Sequence, residues 1–242
     1  MRTVGFLLEG GIVGAGDSQN LLIDADDTLW ENNIYYERVI QEVLALLDRS
    51  GADSSGFRVE LDETERRRIP THGYGTVNFT RSLVETFKRF LPPGCDPMLP
   101  ARVEQLSLAI LVHPLEVLDD VPETLAYLSR RHTLFLVTKG NQEEQLRKIR
   151  ASHLLSYFQG FEILPEKNTQ TYSQLLDRHG WERSSSWMIG NSPRSDINPA
   201  LAAGMRAVYI PHPHTWTLEH GEAAKHPNLL ELEKFSDLRL HF

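Results

Sequence analysis

Two carboxylates, Asp24 and Asp26, stand at the end of the apolar run Leu21-Leu22-Ile23 and are followed by Asp27, Thr28, Leu29 and Trp30. An apolar run that meets a carboxylate reads as a buried parallel strand, whose carboxyl end delivers Asp24 to the crevice where open α/β sheets bind ligands. If the backbone stays extended, Asp26 points the same way as Asp24, and two like charges share one small site. They need compensation by a divalent cation or by one of them holding a proton, and either arrangement suits catalysis. The plainer alternative is a strand that ends in a solvated acidic turn.

Further groups of the same kind follow downstream. Thr138-Lys139-Gly140-Asn141 closes the apolar strand Thr133 to Val137 and precedes a helix from Gln142 to Ala151. Lys167 lies in Pro165-Glu166-Lys167-Asn168, after a short strand at Phe161 to Leu164 and before a helix bearing Tyr172, Leu175 and Leu176. Asn191 and Asp196 lie in the turn Gly190 to Asp196, after the strand Ser186 to Ile189; a helix closing at Gly204 and a strand from Arg206 to Ile210 complete the pattern. Strands alternating with helices predict an α/β, three-layer Rossmann-like core with a mostly parallel sheet.

Residues 31 to 115 break this rhythm. Tyr36, Val39, Ile40, Val43, Leu44 and Leu47 have helical spacing and end before Gly51, and Phe79, Leu83, Val84, Phe87 and Leu91 repeat it up to Pro92-Pro93. A third helix is expected from about Pro100 to Leu111, and Glu63 to Gly75, with Arg66-Arg67-Arg68 and His72-Gly73-Tyr74-Gly75, reads as a polar loop. A structureless connection of this length is improbable, so the segment is expected to be an inserted α-helical subdomain. The expected organisation is a leader over 1–19, an α/β core from 20–30 and 116–242, and helices over 31–115.

Taken together and in order, Asp24 with Asp26, Thr138, Lys167, and Asn191 with Asp196 resemble the four motifs of the haloacid dehalogenase superfamily, in its phosphohydrolase branch. The resemblance covers about residues 20 to 210. Its most specific part is the D-x-D-x-T-L string, and the insertion directly after that string is similar to the superfamily's α-helical cap. The resemblance implies an Mg²⁺-dependent phosphomonoesterase acting on a small phosphorylated metabolite, a sugar phosphate or nucleotide, through an aspartyl-phosphate. It assigns Asp24 as nucleophile, Asp26 as acid and base, and Lys167 as the balancing charge. Thr28, Thr138, Lys139 and Gly140 would hold phosphoryl oxygens, the last two through backbone N–H groups. Asp24, the Asp26 carbonyl, and Asn191 or Asp196 would offer the hard oxygens that Mg²⁺ prefers. One departure stands out: related turns read G-D-S-x-x-x-D, whereas Gly190 is followed here by Asn191. That leaves open a phosphate-binding protein without turnover. A phosphosugar mutase stays open too, while a dehalogenase is disfavoured because that branch lacks the acid/base carboxylate.

The remaining features are less directive. His72 and Tyr74, on their glycine-flanked stretch, are the candidate substrate contacts of the insertion. His212 and His214 offer a metal pair only weakly, Arg66 to Arg68 read as a solvated face, and Cys95 is no credible nucleophile. At 242 residues and a formal charge of −8, the chain argues against nucleic acid or an acidic membrane surface as partner. The single cysteine fits a reducing cytoplasm, and a monomer or homodimer is expected. Gly10, Gly11, Gly14 and Gly16 lack the spacing of a dinucleotide loop, and Glu9 interrupts any signal-peptide core, so 1–19 is read as a flexible leader from an over-early start.

Overall fold

The computed structural model describes residues 4–6 and 18–242. The chain divides into two compact units, residues 1–31 with 115–242, and residues 32–114.

The first unit is built on one seven-stranded sheet. Its strands are β1 (Val4–Phe6), β2 (Asn20–Ile23), β3 (Thr133–Lys139), β4 (Gly160–Leu164), β5 (Ser186–Gly190), β6 (Arg206–Tyr209) and β7 (Leu229–Glu231). They lie in the order β1-β4-β3-β2-β5-β6-β7, all parallel except β1, which runs antiparallel to β4 at the edge. The leader expectation is therefore corrected at Val4–Phe6, which pairs with Gly160 to Glu162; the leader's glycines lie outside the described residues. β7 is only three residues long, too short to mark itself by a strand period in the sequence.

Strand residues alternate between two apolar layers, as the two-residue period of a strand requires. Leu21, Ile23, Leu134, Leu136 and Ile163 pack with Val121, Leu125 and Leu128 of α5 (Val121–Leu128) and Ile149 of α6 (Gln142–Ala151). Leu22, Phe135, Val137 and Met188 pack on the other face with Tyr172, Leu175 and Leu176 of α7 (Thr169–His179) and Ala200 of α8 (Asn198–Ala202). Each fully buried leucine of α7 contributes about 1.5–3 kcal/mol relative to an exposed one. Local chemistry fixes the ends of that helix. Asn168 and Thr171 form a reciprocal capping box, and Gly180 takes the left-handed conformation at the other end.

β2 lies between β3 and β5, so the chain winds to one side of β2 and then to the other. The carboxyl end of β2 is thus a topological switch point, where open α/β sheets form their ligand crevice. Asp24 is the first residue beyond it.

The second unit is helical: α1 (Asn33–Arg49), α2 (Phe57–His72), α3 (Thr76–Phe90) and α4 (Leu99–Leu108), followed by a 3-10 turn at Ala109–Val112. Val39, Ile40, Val43, Leu47, Phe57, Leu61, Phe79, Leu83, Phe87 and Val103 form its core. The polar loop expected over Glu63 to Gly75 is instead mostly the second half of α2. That helix buries only Phe57, Leu61, Thr64 and Glu65, so no apolar stripe marks it. Ion pairs support it in place of burial. Arg58 pairs with Asp62 one turn on and with Glu37 of α1, while Arg67 and Arg68 both reach Glu85 of α3. Pro70 sits in its last turn, where it cannot donate to the carbonyl four residues earlier, and the helix ends two residues later.

Candidate active site

β2 ends at Ile23, but its ladder continues one residue further, the Asp24 N–H donating to the Ile189 carbonyl at 2.9 Å. The chain then folds tightly: the Leu29 N–H donates to the Ala25 carbonyl at 2.8 Å, the Asp27 N–H donates to the Trp30 carbonyl at 2.8 Å, and Asp27 adopts φ 60°. Within this turn the two carboxylates acquire different partners.

Asp24 is buried and ion-paired with Lys167 through Oδ1, and its Oδ2 accepts from the Thr28 hydroxyl at 3.2 Å. Lys167 also donates to Asp196 Oδ1 at 2.7 Å, so one buried ammonium joins two buried carboxylates. Burial, and then the charge of Asp196, raise Asp24 to a pKa of about 7 against the opposing pull of Lys167. Burial alone would lower Lys167, but Asp196 and Asp24 outweigh it and raise its pKa. Asp196 is held by the Ser192 N–H, which donates to Oδ2 at 3.0 Å, and by the absence of a side chain at Gly190, where a Cβ would lie 2.3 Å from that same oxygen.

Asp26 faces a different set of donors. Trp30 Nε1 donates to Oδ1 at 2.7 Å, Gln145 Nε2 to Oδ2 at 2.8 Å, and Lys148 Nζ to both oxygens, at 2.6 and 2.8 Å. Burial would raise its pKa, yet Lys148 first, and then Gln145 and Trp30, bring it below the usual value. The charge problem posed by the sequence is thus met by two separate lysines, one for each carboxylate.

Asn191 Oδ1 lies 3.3 Å from Thr28 Oγ1, sharing with Asp24 the one proton of that hydroxyl, and its Nδ2 donates to Thr215 Oγ1 at 2.9 Å. The amide therefore links the turn after β2 to the segment after β6, a link that needs an N–H donor. Thr138 is buried at the end of β3. The Lys139 ammonium binds Glu219 at 2.6 Å, Ser195 Oγ at 2.8 Å and Glu166 at 3.3 Å. Burial would raise Glu219, but Lys139 and the hydroxyl of Ser192 hold it below its usual value. Gly140 has φ 143°, and its N–H, expected to meet a ligand, already donates to the Leu164 carbonyl at 3.3 Å. At the start of α6 the N–H groups of Glu143 and Glu144 are capped by Asn141 Oδ1.

Asp24, Asp26, Thr28, Thr138, Lys139, Gly140, Lys167, Asn191 and Asp196 all belong to the first unit, at or after the carboxyl ends of β2 to β5. His72 and Tyr74 belong to the second. His72 closes α2 with its ring against Thr71 Oγ1 and the Arg68 carbonyl, and Tyr74 sits half-buried between Gly73 (φ 73°) and Gly75 (φ 114°). Trp30, Gln145, Lys148, Glu166, Ser192, Ser195, Thr215 and Glu219 were missed. Gln145 and Lys148 carried the one usable signal, two polar side chains three apart on a helix that starts at the site.

Asp24 and Asp196, joined through Lys167, and Asn191, reached from Asp24 through Thr28, are hard-oxygen groups of the kind a divalent cation prefers. With both carboxylates ionised, Asp24, Asp196 and Lys167 leave one net negative charge that a cation would offset. Asp27, Glu31 and His212 form a second group whose ligand atoms lie within 4.8 Å of one another. There His212 Nδ1 accepts from the His214 backbone N–H at 3.3 Å and lies 3.8 Å from Asp27, Nε2 lies 3.5 Å from Glu31, and the His214 ring stands 5.9 Å from that of His212. No described helix is long and apolar enough to cross a membrane.

A hydrolase family model, haloacid dehalogenase-like hydrolase, matches residues 19–204. No curated protein matches the sequence. Among solved structures, a haloacid dehalogenase-like family hydrolase from Xanthomonas campestris is 30% identical, with TM-score 0.78 over 93% of this chain and 94% of that one. The HAD-hydrolase YfnB from Bacillus subtilis, whose structure is bound to magnesium, is 16% identical, with TM-score 0.65 over 93% and 99%. An L-2-haloacid dehalogenase from Xanthobacter autotrophicus is 12% identical, with TM-score 0.61 over 92% and 97%, a likeness of fold alone. With the family model spanning most of the chain and the motif residues at the carboxyl ends of its parallel strands, the protein belongs to the haloacid dehalogenase-like hydrolases.

Proposed function

We propose that the chain is a phosphomonoesterase of this family that acts on a small phosphorylated metabolite. The observation that carries the reading is the pair of carboxylates with divided surroundings: Asp24 against Lys167 and Thr28, and Asp26 two residues on in its own set of donors. Phosphoryl transfer through an aspartyl-phosphate uses one carboxylate as the in-line nucleophile and another to move a proton, and separate environments let two similar groups take different roles. Ionised Asp24 attacks phosphorus as the bond to the leaving oxygen breaks, and Asp26, having first taken up a proton from solvent, gives that proton to the leaving oxygen. Water then attacks the aspartyl-phosphate and yields its proton to Asp26, restoring Asp24 and releasing phosphate. Lys167 offsets the charge gathered between Asp24, Asp196 and the phosphoryl oxygens. Mg²⁺, held by Asp24, the Asp26 carbonyl, Asp196 and Asn191, would supply Lewis-acid neutralisation of phosphoryl charge. The helical unit, inserted directly after the Asp24 to Trp30 turn, would act as the cap that selects the leaving group.

Two other readings remain to be separated. Dehalogenases share the fold, and Asn191, with its amide engaged at both ends, lacks the charge a phosphatase turn usually carries, which favours a binding protein without turnover. Phosphate release from p-nitrophenyl phosphate, with and without Mg²⁺, run beside chloride release from 2-chloropropionate, separates all three. Mg²⁺-dependent phosphate release without chloride release is the expected result. Chloride release would make the protein a dehalogenase, and phosphate binding without release would make it a binder.

A further inference from the structure

The donors around Asp26 pose a problem for its proposed role. A carboxylate has about four lone-pair positions, two on each oxygen. On Asp26 they are taken by Trp30 and Lys148 at Oδ1 and by Gln145 and Lys148 at Oδ2, all at 2.6 to 2.8 Å. In this posture the group has no position left to deliver a proton to a leaving oxygen or to take one from water. At least one donor must leave before Asp26 can act.

The three donors differ in their freedom to do so. Trp30 is wholly buried in the core layer formed with α5 and α6. Gln145 is also buried, and its Nε2 is fixed a second time by the Lys139 carbonyl at 2.8 Å. Gly140 leaves room for that amide, since a Cβ there would approach Nε2 to 3.0 Å. Lys148 carries its ammonium on a flexible four-carbon stem whose side chain keeps 17% of its exposure. It is the donor that can swing away, and its departure opens one position on each carboxylate oxygen at once.

Building on the phosphohydrolase reading, we infer that Lys148 is a displaceable latch on Asp26, drawn off by the phosphoryl group of an arriving substrate. At equal distance a phosphoryl dianion attracts an ammonium twice as strongly as a carboxylate monoanion does. Arrival of the substrate therefore opens positions on Asp26 through which it can take up a proton from solvent and pass it to the leaving oxygen, in the same movement that gives the phosphoryl group a cation. Before arrival Asp26 is held closed, which keeps an idle site from exchanging protons with water. Lys148 is a positioning residue for Asp26 in the resting enzyme and a ligand contact in the loaded one.

The Trp30 indole N–H, donating to the same carboxylate, is a built-in reporter. The chain has four tryptophans, so the indole signals of the ¹⁵N-tryptophan-labelled full chain can be followed in Mg²⁺ buffer, with Trp30→Phe assigning the relevant one. Inorganic phosphate is the probe. In wild type the Trp30 signal is expected to move as phosphate saturates the site. In Lys148→Met it should start near the phosphate-bound position and scarcely move, with phosphate binding weakened about tenfold by loss of one charge-assisted contact. Lys148→Gln serves as a second variant should Lys148→Met fail to fold. It keeps an N–H donor for Asp26 without the charge, so Trp30 should stay at its resting position even with phosphate bound. Phosphate binding to wild type with a stationary Trp30 signal, or unchanged affinity in both Lys148 variants, overturns the latch. A wild type that releases phosphate from p-nitrophenyl phosphate while Trp30 stays still fails the latch alone. One that neither binds nor releases phosphate fails the phosphohydrolase reading and takes the latch with it.

Discussion

Asp24 carries a cost that its proposed role explains. Burial and Asp196 raise its pKa to about 7, so the folded chain holds a proton there that an unfolded chain gives up near 3.8. Because the folded state binds the extra proton, its stability falls as pH rises from about 4 through about 7, the opposite sense to an ordinary paired carboxylate. Asp24→Asn removes the titrating group while nearly keeping its shape. In EDTA the variant should melt higher than wild type at pH 8 and close to it at about pH 4, and a gap that does not change with pH would sink this account. The same variant should lose turnover, since an amide is no nucleophile; activity within tenfold of wild type would remove Asp24 from that role. Lys167→Met tests the other side of the pair. It strands two buried carboxylates, which typically costs about 3–5 kcal/mol, so denaturant unfolding at pH 8 should show a loss of that order. A loss below about 1 kcal/mol, within the range of exposed ion pairs, would mean that solvent reaches the cluster.

Elements with a strong period were legible in the sequence, and elements held by charge were not. β3, α6 and α7 follow from runs such as Leu134 to Val137 and from the spacing of Tyr172, Leu175 and Leu176, because burial on two layers writes its period directly into the residues. α2 escaped because its support comes from Arg58, Arg67 and Arg68 reaching Glu37, Asp62 and Glu85, pairs that leave no apolar stripe. The site divides in the same way. Residues at strand ends could be found from the strands, whereas Glu219, Thr215 and Lys148 are joined to it by long-range contacts that no local pattern encodes. Gly190 illustrates what a pattern conveys without its reason. It ends β5, and its missing Cβ is what lets Asp196 fold back to receive the Ser192 N–H. Gly190→Ala would drive a methyl group to 2.3 Å from Asp196 Oδ2, so Asp196 and with it Lys167 must shift. Activity should fall at least a hundredfold, about 2.7 kcal/mol in the barrier, while the fold persists by circular dichroism. An active alanine variant would show that the turn has slack and that Asp196 need not hold this position.

At the scale of the whole molecule, the core motifs recognise only what every phosphomonoester shares, so selectivity among leaving groups has to come from elsewhere in the chain. The chain leaves the first unit after Glu31 and returns at Leu115, and within that unit the two crossing segments are paired. The Glu31 N–H donates to the Glu116 carbonyl at 2.9 Å, the Leu118 N–H donates to the Leu29 carbonyl at 3.0 Å, and Trp30 bridges Val117. The helical unit is therefore tethered at both ends to the segment that begins with Asp24 and Asp26, and we propose that it supplies the missing selectivity. Within it, Tyr74 between two glycines of positive φ can offer an aromatic face and a hydroxyl, and His72 beside it can offer a ring nitrogen. Tyr74→Ala or His72→Ala should lower kcat/KM at least tenfold for the best substrate found in a panel of phosphorylated metabolites, the usual effect of losing one paired polar contact worth about 1–3 kcal/mol. Acetyl phosphate has no large leaving group to grip, and its hydrolysis should barely change. Equal losses on both would instead mean that this stretch supports turnover in general, and selectivity would then have to be sought on α1, α3 or α4.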